Sequence, residues 1–355
     1  MNKSERLFAQ MKSQRKKSVF LGIILLILIG LVMLVSIYLG RAEFDIMEIL
    51  KVIWGKSTYQ PNIYENIKNS RVAIIWDIRL PRILTGLFVG AGLAVAGTVF
   101  QSLLMNPLAD PYTIGVSTGA AFGASLVIYV NIFFETVKLP VIPFAFAGAI
   151  LTLILVIYIA SVSGNMHSGN LIIAGIIVSS ILSAGISFIK NAADEEVSAI
   201  IFWIMGSLAA KTWGQVLLVM PIVIIGSFIC MFFAQDLNIL CLGEEDAKSL
   251  GVNTKKMRKV FLIIGALITA ACVSVSGVIG FVGLIIPHLL RFAVSTDNRV
   301  LIPLSGLLGA LILMLADNLS RILFVSETPV GVLTTLIGGP FFIYIFIRRN
   351  KYVQG

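Results

Sequence analysis

Charge is what this chain has least of. Of its 355 residues only 13% are Asp, Glu, Lys or Arg, where a soluble protein averages about 25%, and 58% are hydrophobic. Too little polar side chain remains to clothe a water-soluble fold of this size, which excludes a soluble enzyme, a secreted disulfide scaffold and a disordered chain. Cysteine is scarce. Cys230, Cys241 and Cys272 lie in or beside apolar runs with no CxxC or other ligand spacing, so they read as packing residues, not as a disulfide framework or a metal site. The histidines are two, His167 and His288, and no acid or base stands near the middle of an apolar run, where ion-coupled carriers keep such groups. A phosphate-binding loop is missing as well: Gly55-Lys56-Ser57 resembles the end of one, but position 50 is Leu rather than Gly. If the chain moves a solute uphill, a partner must supply the energy.

What is present is apolar sequence in bilayer-sized pieces. A hydrocarbon core about 30 Å thick takes about 20 apolar residues per helical crossing. Ten runs meet or approach that requirement: Val19–Leu39, Ile83–Leu104, Ile114–Phe134, Leu139–Val162, Leu171–Ile189, Val216–Ala234, Val260–Ser276, Ile279–Val294, Val300–Ala316 and Val330–Ile347. The seventh and eighth form one apolar stretch, divided at Gly277–Gly280, where Val-Ser-Gly-Val-Ile-Gly marks a break. Ile200–Ala210 is too short to span and reads as a re-entrant or interfacial helix. The first run is too long for a signal peptide and has no Ala-x-Ala site after it. The expected fold class is therefore all-α, a polytopic bundle of ten transmembrane helices. A basic cytoplasmic tail (1–18) leads into a single membrane domain (19–355), with an extracytoplasmic loop over 40–77 and a cytoplasmic loop over 236–259.

The formal net charge of +9 falls on one face. With both termini cytoplasmic, the inner side holds 16 Lys and Arg against 7 Asp and Glu, and the outer side 11 and 11. That is the positive-inside pattern, so the basic balance signals topology, not nucleic-acid binding. The 31 glycines gather in the apolar runs, as in Gly86-x3-Gly90, Gly115-x3-Gly119-x3-Gly123 and Gly280-x2-Gly283, a spacing that lets helix backbones approach closely. The second run has small residues on several faces and belongs inside the bundle.

Four blocks then resemble the FecCD-type permeases, the membrane subunits of type II ABC importers for iron-siderophores, haem and cobalamin. They are Arg79-Leu80-Pro81-Arg82 through Gly90-Ala91-Gly92-Leu93-Ala94, Gly97, Gln101 and Asn106-Pro107-Leu108-Ala109-Asp110-Pro111; Leu242-Gly243-Glu244-Glu245-Asp246-Ala247 through Leu250-Gly251; Gly280-Phe281-Val282-Gly283-Leu284 with Pro287-His288 and Arg291; and Pro329-Val330-Gly331 through Gly338-Gly339-Pro340. The resemblance implies ten helices per subunit, a two-fold dimer with a second copy or paralogue, two ATPase subunits and an extracytoplasmic substrate-binding protein. It implies no covalent chemistry and no cofactor in this chain, ATP and Mg being bound by the partner subunit, and a bacterial or archaeal cytoplasmic membrane as the location.

It also implies roles for particular residues. Leu242, Gly243, Glu244, Glu245, Asp246, Ala247, Leu250 and Gly251 would form the coupling helix that docks into the ATPase. The residue types agree, since acids suit a helix N-terminus and Gly the position past a C-terminus. Arg79, Arg82 and Arg321, near the outer ends of helices, would dock the binding protein by gripping its carboxylates; snorkelling is the plainer reading. Met166, His167, Ser168, Gly169 and Asn170, between the fourth and fifth helices, would close the path on the cytoplasmic side. The expected cargo is a metal chelate, an iron-siderophore first, with haem, cobalamin and molybdate open. The rival from another class is a self-contained secondary transporter or channel, disfavoured by the missing ion-coupling groups and the isolated inner helix.

Overall fold

Each of the ten expected crossings is helical. A computed structural model describes residues 3–353 apart from positions 41, 43, 135, 137, 163–166 and 324–327, with side chains described over 16–343 of these. Among the described residues there are fifteen α-helices and no strand. In chain order they are α1 (Lys3–Tyr38), α2 (Ile46–Ser57), α3 (Asn69–Ala73), α4 (Leu80–Leu103), α5 (Val116–Phe133), α6 (Val141–Val162), α7 (Ser168–Ala192), α8 (Val197–Ile204), α9 (Trp213–Phe232), α10 (Ala234–Leu240), α11 (Glu244–Ser249), α12 (Thr254–Ser276), α13 (Val282–Ala293), α14 (Asn298–Leu323) and α15 (Val330–Val353). Eight helical stretches are long and apolar enough to cross a membrane, and α13 and the apolar part of α15 are shorter.

The bundle is organised around α4. Its apolar window is 78% buried inside the protein, against 22% for α1, so α4 is central and α1 peripheral. Around α4 pack α14, α12, α13 and α9, while α5 lies on α6 and α7. Glycine permits the closest approaches. A Cβ on Gly90 would stand 2.3 Å from the Gly309 carbonyl oxygen, and one on Gly97 would stand 1.9 Å from that of Gly283. With hydrogen there, the backbones of α4 and its neighbours touch, which is how apolar helices gain packing energy in lipid.

The seventh and eighth crossings part where the glycines suggested. α12 ends at Ser276, Gly277 takes φ 71°, and α13 starts after Phe281 at φ 68°. Backbone groups released inside a membrane must find protein partners. Here the Ser207 amide donates to the Ser276 carbonyl (2.7 Å), Lys211 Nζ donates to the Val275 carbonyl (2.8 Å) and the Gly331 amide donates to the Gly206 carbonyl (3.3 Å). The end of α8, the break and the start of α15 thus meet at one point.

Residues 40–77, expected as a loop, are in large part helical. Asp45 and Glu48 make a capping box that starts α2, Pro61 opens a short 3-10 turn, and α3 passes through a π turn at Ile74–Arg79 into α4. Pro81 lacks an amide hydrogen, and the π turn just before it accommodates the lost bond. The result is one 35-residue helical stretch, Asn69–Leu103. The ninth crossing also runs past its expected end, so Asp317 and Arg321 lie within α14.

Candidate coupling and docking sites

On the expected inner face, α11 is a six-residue helix set apart by glycines. Gly243 at its N-cap has φ 114° and Gly251 past its end has φ 83°, a region that favours glycine. The Gly251 amide donates to the Lys248 carbonyl and the Val252 amide to the Ala247 carbonyl, both at 3.0 Å, closing the helix as glycine caps do. Ala247 is fully buried and seats α11 on the bundle. Leu242 and Leu250, on either side, are 59% and 60% exposed, and Glu245 and Asp246 are exposed beside them. A free helix of this length would not hold in water; its seat, its caps and its acid-to-dipole match hold it.

Glu244 ties α11 to two other elements. Its carboxylate receives Lys248 Nζ at 2.8 Å within the helix, His167 Nδ1 at 3.3 Å from the start of α7, and lies 3.8 Å from Arg258 Nη1 of α12. The Lys248 hydrogen bond, with the other cations behind it, holds the Glu244 carboxyl below its ordinary pKa. Below α11, Asn238 of α10 donates to Asp297 (2.7 Å) and accepts from the Asn298 amide and side chain (2.8 and 2.9 Å). Ser102 of α4 donates to Asn298 and accepts from Arg291 Nη2 (2.8 and 2.7 Å). The base of α11 is therefore bonded through α10 to α4, α13 and α14. Sequence reasoning missed this network, because Ser102 and Asn298 are 196 positions apart and nothing local marks either.

Of the expected gate, Met166 lies outside the described residues. His167 occupies the N-cap position of α7 with extended backbone and no side-chain cap bond, and Ser168 Oγ donates to the Leu103 carbonyl at the end of α4 (3.3 Å). A Cβ on Gly169 would meet nothing within 4 Å, and Asn170 follows in the first turn of α7. The start of α7 and the α11 helix are thus neighbours, joined at His167–Glu244.

At the opposite end the three arginines point inward. Arg79, 5% exposed, donates to the carbonyls of Ile37, Tyr38 (3.3 Å) and Ala42 (2.8 Å) and lies 4.6 Å over the Phe44 ring. Arg321 donates to the carbonyls of Ser36 (3.0 Å) and Leu39. Both cap the C-terminus of α1, where the unpaired carbonyls and the dipole favour a cation. Arg82 grips Asp317 in two places, Nε to Oδ2 and Nη2 to Oδ1, each 2.9 Å, with side-chain exposures of 11% and 6%. From the sequence Asp77 and Asp317 were expected to neutralise part of this arginine patch, and Asp317 does pair with Arg82; the carbonyl caps made by Arg79 and Arg321 were not foreseen. Nearby, Lys211 is half-buried near Arg82, and desolvation pushes its pKa down to about 8.

A cleft of about 280 Å³ opens between α5, α7, α8 and the α12–α13 break, with Ser117, Ser183, Ser187 and Lys190 set among apolar side chains such as Ile186, Ile204 and Val278. Sequence reasoning missed it, though Ser183, Ser187 and Lys190 at helical spacing on one face of α7 were a legible signal.

The profile of the FecCD transport family matches residues 25–348. The chain belongs to this family. A FecCD relative from Halobacterium salinarum, named as a cobalamin import system permease protein, BtuC, is 40% identical over 82% of this chain and 78% of its own. A Yersinia pestis relative, named as the hemin transport system permease protein HmuU, is 35% identical over 92% of this chain and 96% of its own. A solved structure described as an inward-facing conformation of a metal-chelate type ABC transporter aligns with TM-score 0.79 and 33% identity, over 92% of this chain and 98% of that one. FecCD proteins are membrane permeases of ABC transporters, transport components of the membrane.

Proposed function

We propose that this FecCD chain is the permease subunit of an importer that takes a metal chelate, an iron-siderophore first, with haem or cobalamin as the other candidates, from an extracytoplasmic binding protein. Two separate ATPase subunits power it, and this chain binds no cofactor of its own. It works with a second copy or paralogue, both termini cytoplasmic, in a bacterial or archaeal cytoplasmic membrane. Its own work is mechanical. ATP binding and hydrolysis on the partners would move α11, and the Asn238–Asn298–Ser102 bonds would carry that motion to α10, α14 and α4. The start of α7, the proposed gate, would follow through His167 and Glu244.

The observation that carries this reading is α11 itself: capped by two glycines, seated on Ala247, and offering Leu242 and Leu250 outward. Two exposed leucines beside acids on a polar knob suit a groove in another protein better than water. Cargo traits of the relatives, cobalamin for one and hemin for the other, support a bulky chelate. A cleft of about 280 Å³ is small for such a cargo, which supports a path completed by the second subunit. The outer arginines would form a docking rim only at a cost: a partner's carboxylate would have to displace Asp317 from Arg82, or helix carbonyls from Arg321 and Arg79.

The test is co-purification with the ATPase subunit of the same importer. The complex should form with the wild-type chain and be lost in the double variant Leu242→Ser, Leu250→Ser, which leaves the bundle untouched. Full co-purification of that double variant would refute docking through α11. A self-contained carrier or channel would purify without an ATPase at all.

A further inference from the structure

A second exposed apolar surface lies at the other end of the molecule. α2 carries apolar side chains on two opposite faces, one buried and one exposed. Ile49 and Val52 are buried at 3% and 0%, and Arg71 bonds Glu48 at 2.5 Å to pin the helix onto α3. The opposite ridge carries Ile46, Met47, Leu50 and Trp54, exposed at 63%, 56%, 47% and 64%. Positions 46, 50 and 54 follow one another at helical spacing, so these side chains form one stripe. The capping box and the Arg71 pair hold this stripe in place; it is a built surface.

We propose that α2 lies in the plane of the outer membrane surface, its exposed stripe sunk into the boundary between headgroups and acyl chains. Continuity argues for lipid as the occupant. α1 is the peripheral helix, and its last turns expose Leu31, Leu34, Val35 and Tyr38 outward at 49–53%, an apolar face suited to lipid in a spanning helix on the outside of this bundle. α2 starts eight residues after Tyr38 and packs on the π turn that leads into α4, which α1 also touches. Its stripe extends the lipid-covered face of α1 round the rim. The chemistry fits that depth. Trp54 and the exposed Tyr38 and Tyr59 are the residue types that settle at the headgroup level, and Lys51 sits exposed at the edge of the stripe, where it meets lipid phosphate. α2 would then be an anchor that fixes the height of the rim at which Arg79 and Phe44 hold the end of α1.

The test places a nitroxide label at position 50 or 54 (Leu50→Cys or Trp54→Cys, in a Cys241→Ser background) of the full chain in phosphatidylethanolamine–phosphatidylglycerol liposomes. A label at the exposed polar position Lys68→Cys serves as reference. The labels at 50 and 54 should collide with oxygen several-fold more, relative to a water-soluble nickel chelate, than the label at 68. Should labelling disturb the helix, Trp54 reports directly. Lipids brominated on the acyl chain should quench wild-type fluorescence more than that of Trp54→Phe, and the difference is the Trp54 signal. Labels that favour the nickel chelate, or a Trp54 signal untouched by bromine, would overturn the proposal. So would shielding that appears only when the binding protein is added, since that would make the stripe a protein-docking face. None of these readouts requires transport, so the anchor can fail while the importer reading stands.

Discussion

Replacing Arg82 by Met should destabilise the chain far more than replacing Arg82 and Asp317 together. The two side chains are 11% and 6% exposed and share two N–H···O bonds of 2.9 Å. Removing one partner strands the other charge in a poorly solvated site, at a cost of about 3–5 kcal/mol, whereas replacing a buried pair by apolar groups of similar volume is often neutral or stabilising. Arg82→Met should therefore lower the midpoint of thermal unfolding in detergent by roughly 5 °C or more. Arg82→Met with Asp317→Leu should recover most of that loss. The same variants bear on docking. Asp317→Asn removes the carboxylate that competes for the guanidinium, so if Arg82 grips the binding protein, association should quicken at low salt and the gain should fade as salt rises. Equal stability of the single and double variants would refute the assignment of Asp317 as the structural partner. A salt-independent association rate in Asp317→Asn would remove Arg82 from the docking rim.

Other outcomes follow from the same geometry. Gly97→Val should prevent assembly of the bundle, because even its Cβ would stand 1.9 Å from the Gly283 carbonyl oxygen; a correctly folded Gly97→Val chain on size-exclusion chromatography would contradict the packing. Gly251→Val should leave the membrane fold intact, since a Cβ there meets nothing within 4 Å, yet disturb the φ 83° turn that closes α11. Uptake should fall while the chain still assembles, and normal uptake would count against the coupling role. Glu244 has a depressed pKa, so its ion pairs contribute stability above the ordinary carboxylate range of about 4.3 and lose it as pH falls through the lowered value. The unfolding midpoint of the wild type should exceed that of Glu244→Gln at neutral pH and converge on it in acid. The gap should be small for so exposed a cluster, and a gap that widens in acid would contradict the pairing.

The bundle was legible because lipid imposes a simple rule: twenty apolar residues, or a break that protein must cover. Val19–Leu39 and Val300–Ala316 need no knowledge of neighbours, and Gly277 marks its own turn. α11 was legible for a similar reason, its caps and acids being local. What escaped is what depends on distant pairing. Asp317 was legible as a charge able to neutralise the arginine patch but not as the bidentate partner of Arg82, 235 positions away, and an arginine near a helix end looks the same in sequence whether it faces a partner or caps α1. The helical content of 40–77 was within reach, since Ile46, Ile49, Leu50, Val52 and Ile53 follow a helical period. Interspersed charges over a stretch too short to span made it look like loop.

The central claim is that this chain is a conduit driven from outside itself through α11. Its most direct test is accumulation of a radiolabelled ferric siderophore, haem or cobalamin in proteoliposomes, with and without the partner ATPase, the binding protein and ATP. Accumulation of one such chelate against its gradient only when all three are supplied is the predicted result. Uphill accumulation by the chain alone, without nucleotide, would contradict the account.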